Sequence, residues 1–378
     1  MASDKIQNFY NPVHVRFGQG ALYELSELTS ESTHILLVTT PGFSRRGLTE
    51  KITEMLSDKE ITVVDDVQPN PDLDYLEDKF SNLRYKNIES IIALGGGSSL
   101  DAAKVLSYLL SYPIPLRDYL QEGRKVPEEK PLPLIAIPTT AGTGSEVTPF
   151  ATVWDMQNYK KYSLAAGSLF PQIALLDPSL TLTLPEDVTV TTGLDALSHS
   201  LEAIWNRNHN PVSTACAIRS VYLVLNTLPY LKRDLENGQY RGYMLEASLL
   251  GGLAISSTRT ALAHSMSYPI TARYGMPHGL ACGFTLPAIL EVNSRIAPSY
   301  FGELISALGC NSLEELIQTI KEFFEELKVE ERLFSYIKDS EDLLKIIPEM
   351  FTPGRADNNL VEVNESLLKE VIVNSFGN

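Results

Sequence analysis

A chain of 378 residues, 44% of them hydrophobic and 21% charged, is long enough for two domains with separate cores and reads as an ordinary soluble globular protein. Its formal net charge of −16 argues against nucleic acid or an anionic membrane as a partner, and any anionic ligand would need a local basic pocket. The opening MASDKIQNFYNPVHVRFGQG lacks the basic-then-apolar pattern of a secretory leader, and no apolar run approaches the roughly 20 residues that span a bilayer. The expected location is therefore the cytoplasm, where three widely spaced cysteines, Cys216, Cys282 and Cys310, fit reduced thiols.

Short runs rich in Val and Ile alternate with helical patterns through the first half: HILLVTT, ITVVDDV, ESIIALGGG, PLIAIPTT and QIALLDP. That alternation predicts a parallel, doubly wound sheet. VRFGQGAL adds an opening strand that turns through Gly18 and Gly20 into a helix. The second strand ends at TTPGFSRRG, where such a fold places the residue that reads the adenosine ribose. Thr40 stands there in place of an acid that would repel a 2′-phosphate, and Arg45 and Arg46 follow. NADP(H) is tolerated at this position and slightly favoured over NAD(H); two solvated arginines at a helix start are the alternative.

ESIIALGGGSSLDAAK carries the clearest cofactor signal. Gly95, Gly96 and Gly97 let backbone approach a ligand closely, and Ser98 and Ser99 open a helix whose exposed N–H groups attract a pyrophosphate. IPTTAGTGSEVTPFATV follows another buried strand with a density of small hydroxylated residues suited to phosphate and amide groups. DMQNYKKYSLAAGSLFPQIALLDP predicts a small hairpin and the last strand. The strand signal ends at LLDPSLTLTLPED, which puts the domain boundary at Glu186: an α/β unit over 1–186 and an all-helical unit over 187–378. Gly251 and Gly252, inside a helical pattern, predict the close approach of another backbone.

The second unit opens with PEDVTVTTGLDALSHSLEAIWN, predicted as a long amphipathic helix. Asp195 and His199 sit four residues apart in it, so both side chains leave one face. His264, in ALAHSMSY, and His278, in MPHG, lie outside that helix. Three nitrogens and one oxygen suit Fe(II) or Zn(II) better than Mg(II) or Ca(II). Cys282, close to His278, reads first as a small buried hydrophobe, with a ligand role as the lesser alternative.

GLDALSHSLEA, AHSMSY and MPHG together resemble the metal-binding segments of the iron-containing (group III) alcohol dehydrogenase family, and GGGSSLDAAK and PTTAGTGSE resemble its cofactor loops. The resemblance covers most of the first 290 residues, with the motifs in the family's order. It implies a dinucleotide-binding α/β domain followed by an all-α metal-binding domain, an architecture shared with dehydroquinate synthase. It further implies hydride transfer between NAD(P)(H) and a small alcohol or aldehyde, and a homodimer. By the same resemblance, Asp195, His199, His264 and His278 hold the metal. Asn70 in VQPNPDLD, the Gly95–Ser99 run, Asp101, Thr139, Thr140, Gly142, Thr143, Ser145, Glu146 and Lys161 fall at positions near the cofactor.

One departure stands out. Where many members carry a second histidine four residues after the third ligand, this chain has Tyr268, whose hydroxyl, with a reference pKa near 10, makes a poorer proton relay. TRTALAHSMSYPITARYGMPHG also looks like a subgroup that reduces phosphonoacetaldehyde, with Arg207, Arg259 and Arg273 as the local positive charge. A dehydroquinate synthase-like lyase and a non-enzymatic metal-binding protein are the alternatives.

Overall fold

The computed structural model describes residues 7–122, 124, 127, 129, 131–158 and 160–376. It divides into two compact units: an α/β unit of Asn11–Thr140 with Ser145–Thr181, and a helical unit that runs from Leu182 onward and takes in Ala141–Gly144.

Eight strands fall in the first unit: β1 (His14–Phe17), β2 (His34–Val38), β3 (Glu60–Val64), β4 (Ser90–Gly95), β5 (Leu134–Pro138), β6 (Phe150–Asp155), β7 (Lys160–Ala165) and β8 (Ile173–Leu176). Six form one sheet in the order β1-β8-β5-β4-β2-β3, parallel throughout. β6 and β7 make a separate antiparallel hairpin. Every residue of β2, β4, β5 and β8 is buried, because a parallel sheet is covered on both faces. Alternate residues serve different cores: Leu36, Ile91 and Ala136 lie in one cluster, and Ile35, Ile92 and Ile137 in the other. Helix α1 (Gly97–Ser111) contributes Leu100, Ala103 and Leu106 to the first of these. Strand order reverses between β2 and β4, so Thr40 and Gly95–Gly97 lie at the carboxyl ends of the strands flanking the switch point, where doubly wound sheets bind ligands.

The helical unit is built on α2 (Glu186–Ile204), α3 (Pro211–Arg233), α4 (Gly238–Thr258), α5 (Leu262–Tyr274) and α6 (His278–Gly283). Asn210 starts α3 in a reciprocal capping box with Ser213, with Pro211 in the first turn. Helix α2 is not the amphipathic helix its sequence predicts: every residue from Gly193 to Ile204 is buried. Its neighbours approach too closely to leave a solvated face. A Cβ on Gly279 of α6 would run into the Thr191 carbonyl oxygen, and one on Gly251 of α4 would stand 3.0 Å from Ser200 Oγ. The backbone approach expected at the paired glycines of α4 is present, since a Cβ on Gly144 would collide with the Gly252 Cα. No strand follows Leu176 among the described residues, and none of their helices is long and apolar enough to cross a membrane.

Candidate metal centre and cofactor loops

Helix α2 sets Asp195 and His199 one turn apart, with His199 Nε2 3.8 Å from Asp195 Oδ1. The start of α5 brings in His264, whose Nε2 lies 3.6 Å from the same oxygen. The His199 and His264 rings stack at 4.7 Å, and the His278 ring meets His264 edge-on at 5.3 Å. Gly279 carries His278 to the group, because only without a Cβ can the start of α6 lie against α2. Asp195, His199 and His264 are buried and His278 is half-buried. Ligand atoms of Asp195, His264, His278 and Cys282 all fall within 4.8 Å of one another. Asp195 Oδ1 and His264 Nε2 have no hydrogen-bond partner. An unpaired buried polar group costs about 1–3 kcal/mol, so two of them facing each other beyond hydrogen-bonding distance fit a shared cation.

Neighbouring acceptors decide which ring nitrogen faces inward. Glu202, wholly buried, takes His264 Nδ1 at 2.6 Å and also accepts the backbone N–H groups of Ala261 and His264. His199 Nδ1 lies 3.2 Å from the Gly142 carbonyl, which can only accept, so that nitrogen carries the proton and Nε2 presents its lone pair. Burial would raise Asp195, but the His199, His264 and His278 imidazoles beside it hold it well below the ordinary carboxylate range. Burial pushes His199 down to about 4, which keeps it neutral. His264 goes the other way: against its burial, Cys282 and Glu202 raise it well above the usual imidazole value. A proton therefore competes with a cation for its Nε2.

In the α/β unit, Gly95 has φ +148°, and a Cβ there would run into Ser99 Oγ; one on Gly96 would stand 3.1 Å from Thr140 Oγ1. Gly96 caps α1 without a side chain, leaving the first N–H groups of the helix for an anion. Ser99 Oγ is buried without a partner, and the left-handed Asn70 donates its N–H to Ser98 Oγ. These features fit a pyrophosphate cradle. Asp101 has both carboxylate oxygens engaged with protein: Oδ1 accepts from Ser145 Oγ at 2.7 Å and Oδ2 from Thr152 N–H at 2.8 Å. One turn on, the buried Lys104 donates to the carbonyls of Thr148 and Phe150. Thr139 is buried with its N–H on the Gly95 carbonyl, Thr40 precedes a short helix from Pro41, Thr143 is half-buried, and Lys161 lies 5.8 Å from the Trp154 ring on the hairpin.

Residues 12–178 match the iron-containing alcohol dehydrogenase family, and residues 189–376 match the C-terminal domain of the Fe-containing alcohol dehydrogenase family. Alcohol dehydrogenase 4 of Schizosaccharomyces pombe is 33% identical over 339 residues, covering 87% of this chain and 79% of the relative. The chain belongs to the iron-containing alcohol dehydrogenase family. An NADPH-dependent butanol dehydrogenase of Clostridium saccharobutylicum is 28% identical, covering 88% of this chain and 87% of that one. A crystal structure of sulfoacetaldehyde reductase from Bifidobacterium kashiwanohense in complex with NAD+ superposes with a TM-score of 0.90 at 29% identity, covering 99% of each chain. As a member of this family the protein is an oxidoreductase, which displaces the lyase and scaffold alternatives.

Within this alcohol dehydrogenase, the arginines singled out in the sequence have different settings. Arg273 is held at the surface in a bidentate pair with Glu349, at 2.9 and 2.6 Å. Arg207 is exposed and donates its backbone N–H to Asn358, while Arg259 ends α4 with φ +62°. Tyr268, one turn after His264, lays its ring parallel to His278 at 6.2 Å. Sequence reasoning missed Glu202, although it stands seven residues after Asp195 on the same helical stripe. Nor does any sequence signal mark the Gly142 carbonyl, which lies 3.2 Å from His199 Nδ1.

Proposed function

We propose that this enzyme transfers hydride between NAD(P)(H) and a small alcohol or aldehyde at a divalent ion, Fe(II) or Zn(II), held by Asp195, His199, His264 and His278. The observation that carries this reading is the facing pair of unpartnered buried atoms, Asp195 Oδ1 and His264 Nε2, 3.6 Å apart. When bound, the ion supplies Lewis acidity at a substrate oxygen, and the nicotinamide gives or accepts the hydride. The chain's own part is orientation. Glu202 and Gly142 keep two imidazole lone pairs pointed at the same place, and Gly95 to Ser99 leave room and N–H groups for the pyrophosphate. Asn70, Thr139, Thr140, Thr143, Ser145 and Lys161 complete the cofactor contacts in this reading, with Asp101 bracing them. Thr40 with Arg45 and Arg46 tilts the preference to NADP(H), and Tyr268 stands where a proton would be relayed. The enzyme acts in the cytoplasm as a homodimer.

The proposed substrate is a short aldehyde carrying an anionic group, phosphonoacetaldehyde first among them, with Arg207 and Arg259 supplying positive charge in a chain of net charge −16. The likeness to a sulfoacetaldehyde reductase supports the class. The test is oxidation of NADPH and NADH by Fe(II)-loaded and Zn(II)-loaded enzyme against a panel holding phosphonoacetaldehyde, sulfoacetaldehyde and butyraldehyde. The reading expects turnover with every member, higher kcat/KM for the anionic ones, and NADPH ahead of NADH. Equal rates on butyraldehyde would remove the anionic preference, and no turnover on any aldehyde would remove the function.

A further inference from the structure

We propose that the Cys282 thiolate is itself a donor to the ion, making this a mixed oxygen, nitrogen and sulfur centre that favours zinc over iron(II); this rests on the reading of Asp195, His264 and His278 as ligands. Cys282 stands one helical turn after His278 on α6 and is completely buried. Its Sγ lies 3.8 Å from His278 Nδ1 and 3.7 Å from Nε2. It also belongs to the set whose ligand atoms all lie within 4.8 Å of one another, a set completed by Asp195, His264 and His278, with His199 outside it, so the sulfur stands with these three as the fourth donor. Independently of the sulfur, two members of that set present buried polar atoms without a hydrogen-bond partner, Asp195 Oδ1 and His264 Nε2, which face each other at 3.6 Å.

The backbone holds the sulfur there by the same device that delivers His278. Gly279 and Gly283 flank Cys282; a Cβ on the first would run into the Thr191 carbonyl, and one on the second would stand 3.0 Å from Leu194 Cβ. Helix α6 is thereby pressed along α2 with its sulfur toward Asp195. The other cysteines have no such setting: Cys216 is half-buried, and Cys310 Sγ approaches Thr319 Oγ1 at 3.8 Å. A carboxylate, imidazoles and one thiolate form a donor set that zinc accepts readily, and the thiolate is the soft member that favours Zn(II) over harder ions. On ligation the S–H proton leaves to solvent and a sulfur–metal bond forms; no atom changes oxidation state.

Cobalt(II) tests the proposal, because a thiolate donor adds a near-ultraviolet charge-transfer band to the visible d–d bands that any Co(II) site shows. The unaltered protein, stripped of metal and titrated with Co(II) without oxygen, is expected to show both. Cys282→Ser and Cys282→Ala should keep the visible bands and lose the charge-transfer band, while Cys216→Ser and Cys310→Ser keep both. In competition of Zn(II) against Fe(II), the preference for zinc should be larger in the unaltered protein than in Cys282→Ser, because an oxygen and nitrogen site already ranks zinc above iron(II) without the sulfur. Visible bands without charge transfer, or an unchanged band in Cys282→Ser, would overturn the sulfur donor and leave the Asp–His site standing. Failure of the unaltered protein to bind Co(II) would overturn both.

Discussion

His264 presents Nε2 to the candidate metal site because Glu202 has taken its Nδ1, and His199 does the same because the Gly142 carbonyl has taken its own. Neither acceptor touches the proposed ion; both fix the tautomers of the residues that would. Another buried acid shows what happens without such pairing. Glu146 is 1% exposed with Oε1 unpartnered, and Lys104, the cation acting on it, donates instead to the carbonyls of Thr148 and Phe150. Burial, only partly offset by a hydrogen bond from its own backbone and by the Lys104 charge, pushes Glu146 up from 4.5 to about 7. A carboxyl whose folded value is raised binds more protons folded than unfolded in that window, so its contribution to stability falls as pH rises from 4.5 through 7. Glu146→Gln removes the titration. Urea unfolding at both ends of the window should show the unaltered protein losing ~3 kcal/mol relative to the variant as pH rises. Parallel pH profiles would contradict the assignment.

At the scale of elements, the candidate site depends on how closely helices and loops approach α2. Its buried hydroxyls are satisfied inside the bundle: Ser198 and Ser200 donate to the carbonyls four residues back, and Ser200 Oγ also meets Ser220 Oγ of α3 at 2.7 Å. That is why amphipathic spacing misled here. The Ala141–Gly144 segment, which supplies the Gly142 carbonyl to His199, is seated through Gly144, whose φ of +59° and contact with the Gly252 Cα leave no space for a side chain. Gly144→Ala should therefore cost about 2–4 kcal/mol by combining left-handed strain with overpacking. Gly167→Ala, where a Cβ meets nothing within 4 Å, should melt close to the unaltered protein. Equal melting of the two variants would show that the segment yields without cost. In the α/β unit, Asp101 and Lys104 fasten one side of α1 to residues 145–152, so the glycine turn and the Thr-rich stretch are braced through one helix.

For the whole molecule, much of the first unit was legible because its central strands are buried on both faces and therefore spell continuous Val and Ile runs. The glycine turn was legible for a related reason: Gly95 has a left-handed φ of +148° with Ser99 Oγ where a Cβ would stand, and Gly96 is crowded by Thr140. The pairing of His264 with Glu202, 62 residues apart, and of His199 with Gly142, 57 apart, leaves no periodic trace. Cys282 was read as a filler residue because burial and ligation look alike in a sequence, and its sulfur takes on meaning only beside Asp195 and His264. Of the three arginines that sequence proximity suggested, Arg273 is taken up by Glu349, 76 residues away. Everything proposed for the chemistry rests on one claim, that the buried Asp–His group binds an ion required for turnover. The direct measurement is metal content per chain, aldehyde turnover and melting temperature for the unaltered protein and His264→Ala, each purified, stripped and reloaded identically. The account predicts about one divalent ion per unaltered chain, with metal and turnover both lost in a variant that still melts cooperatively. A folded His264→Ala protein that kept full turnover after stripping would contradict it.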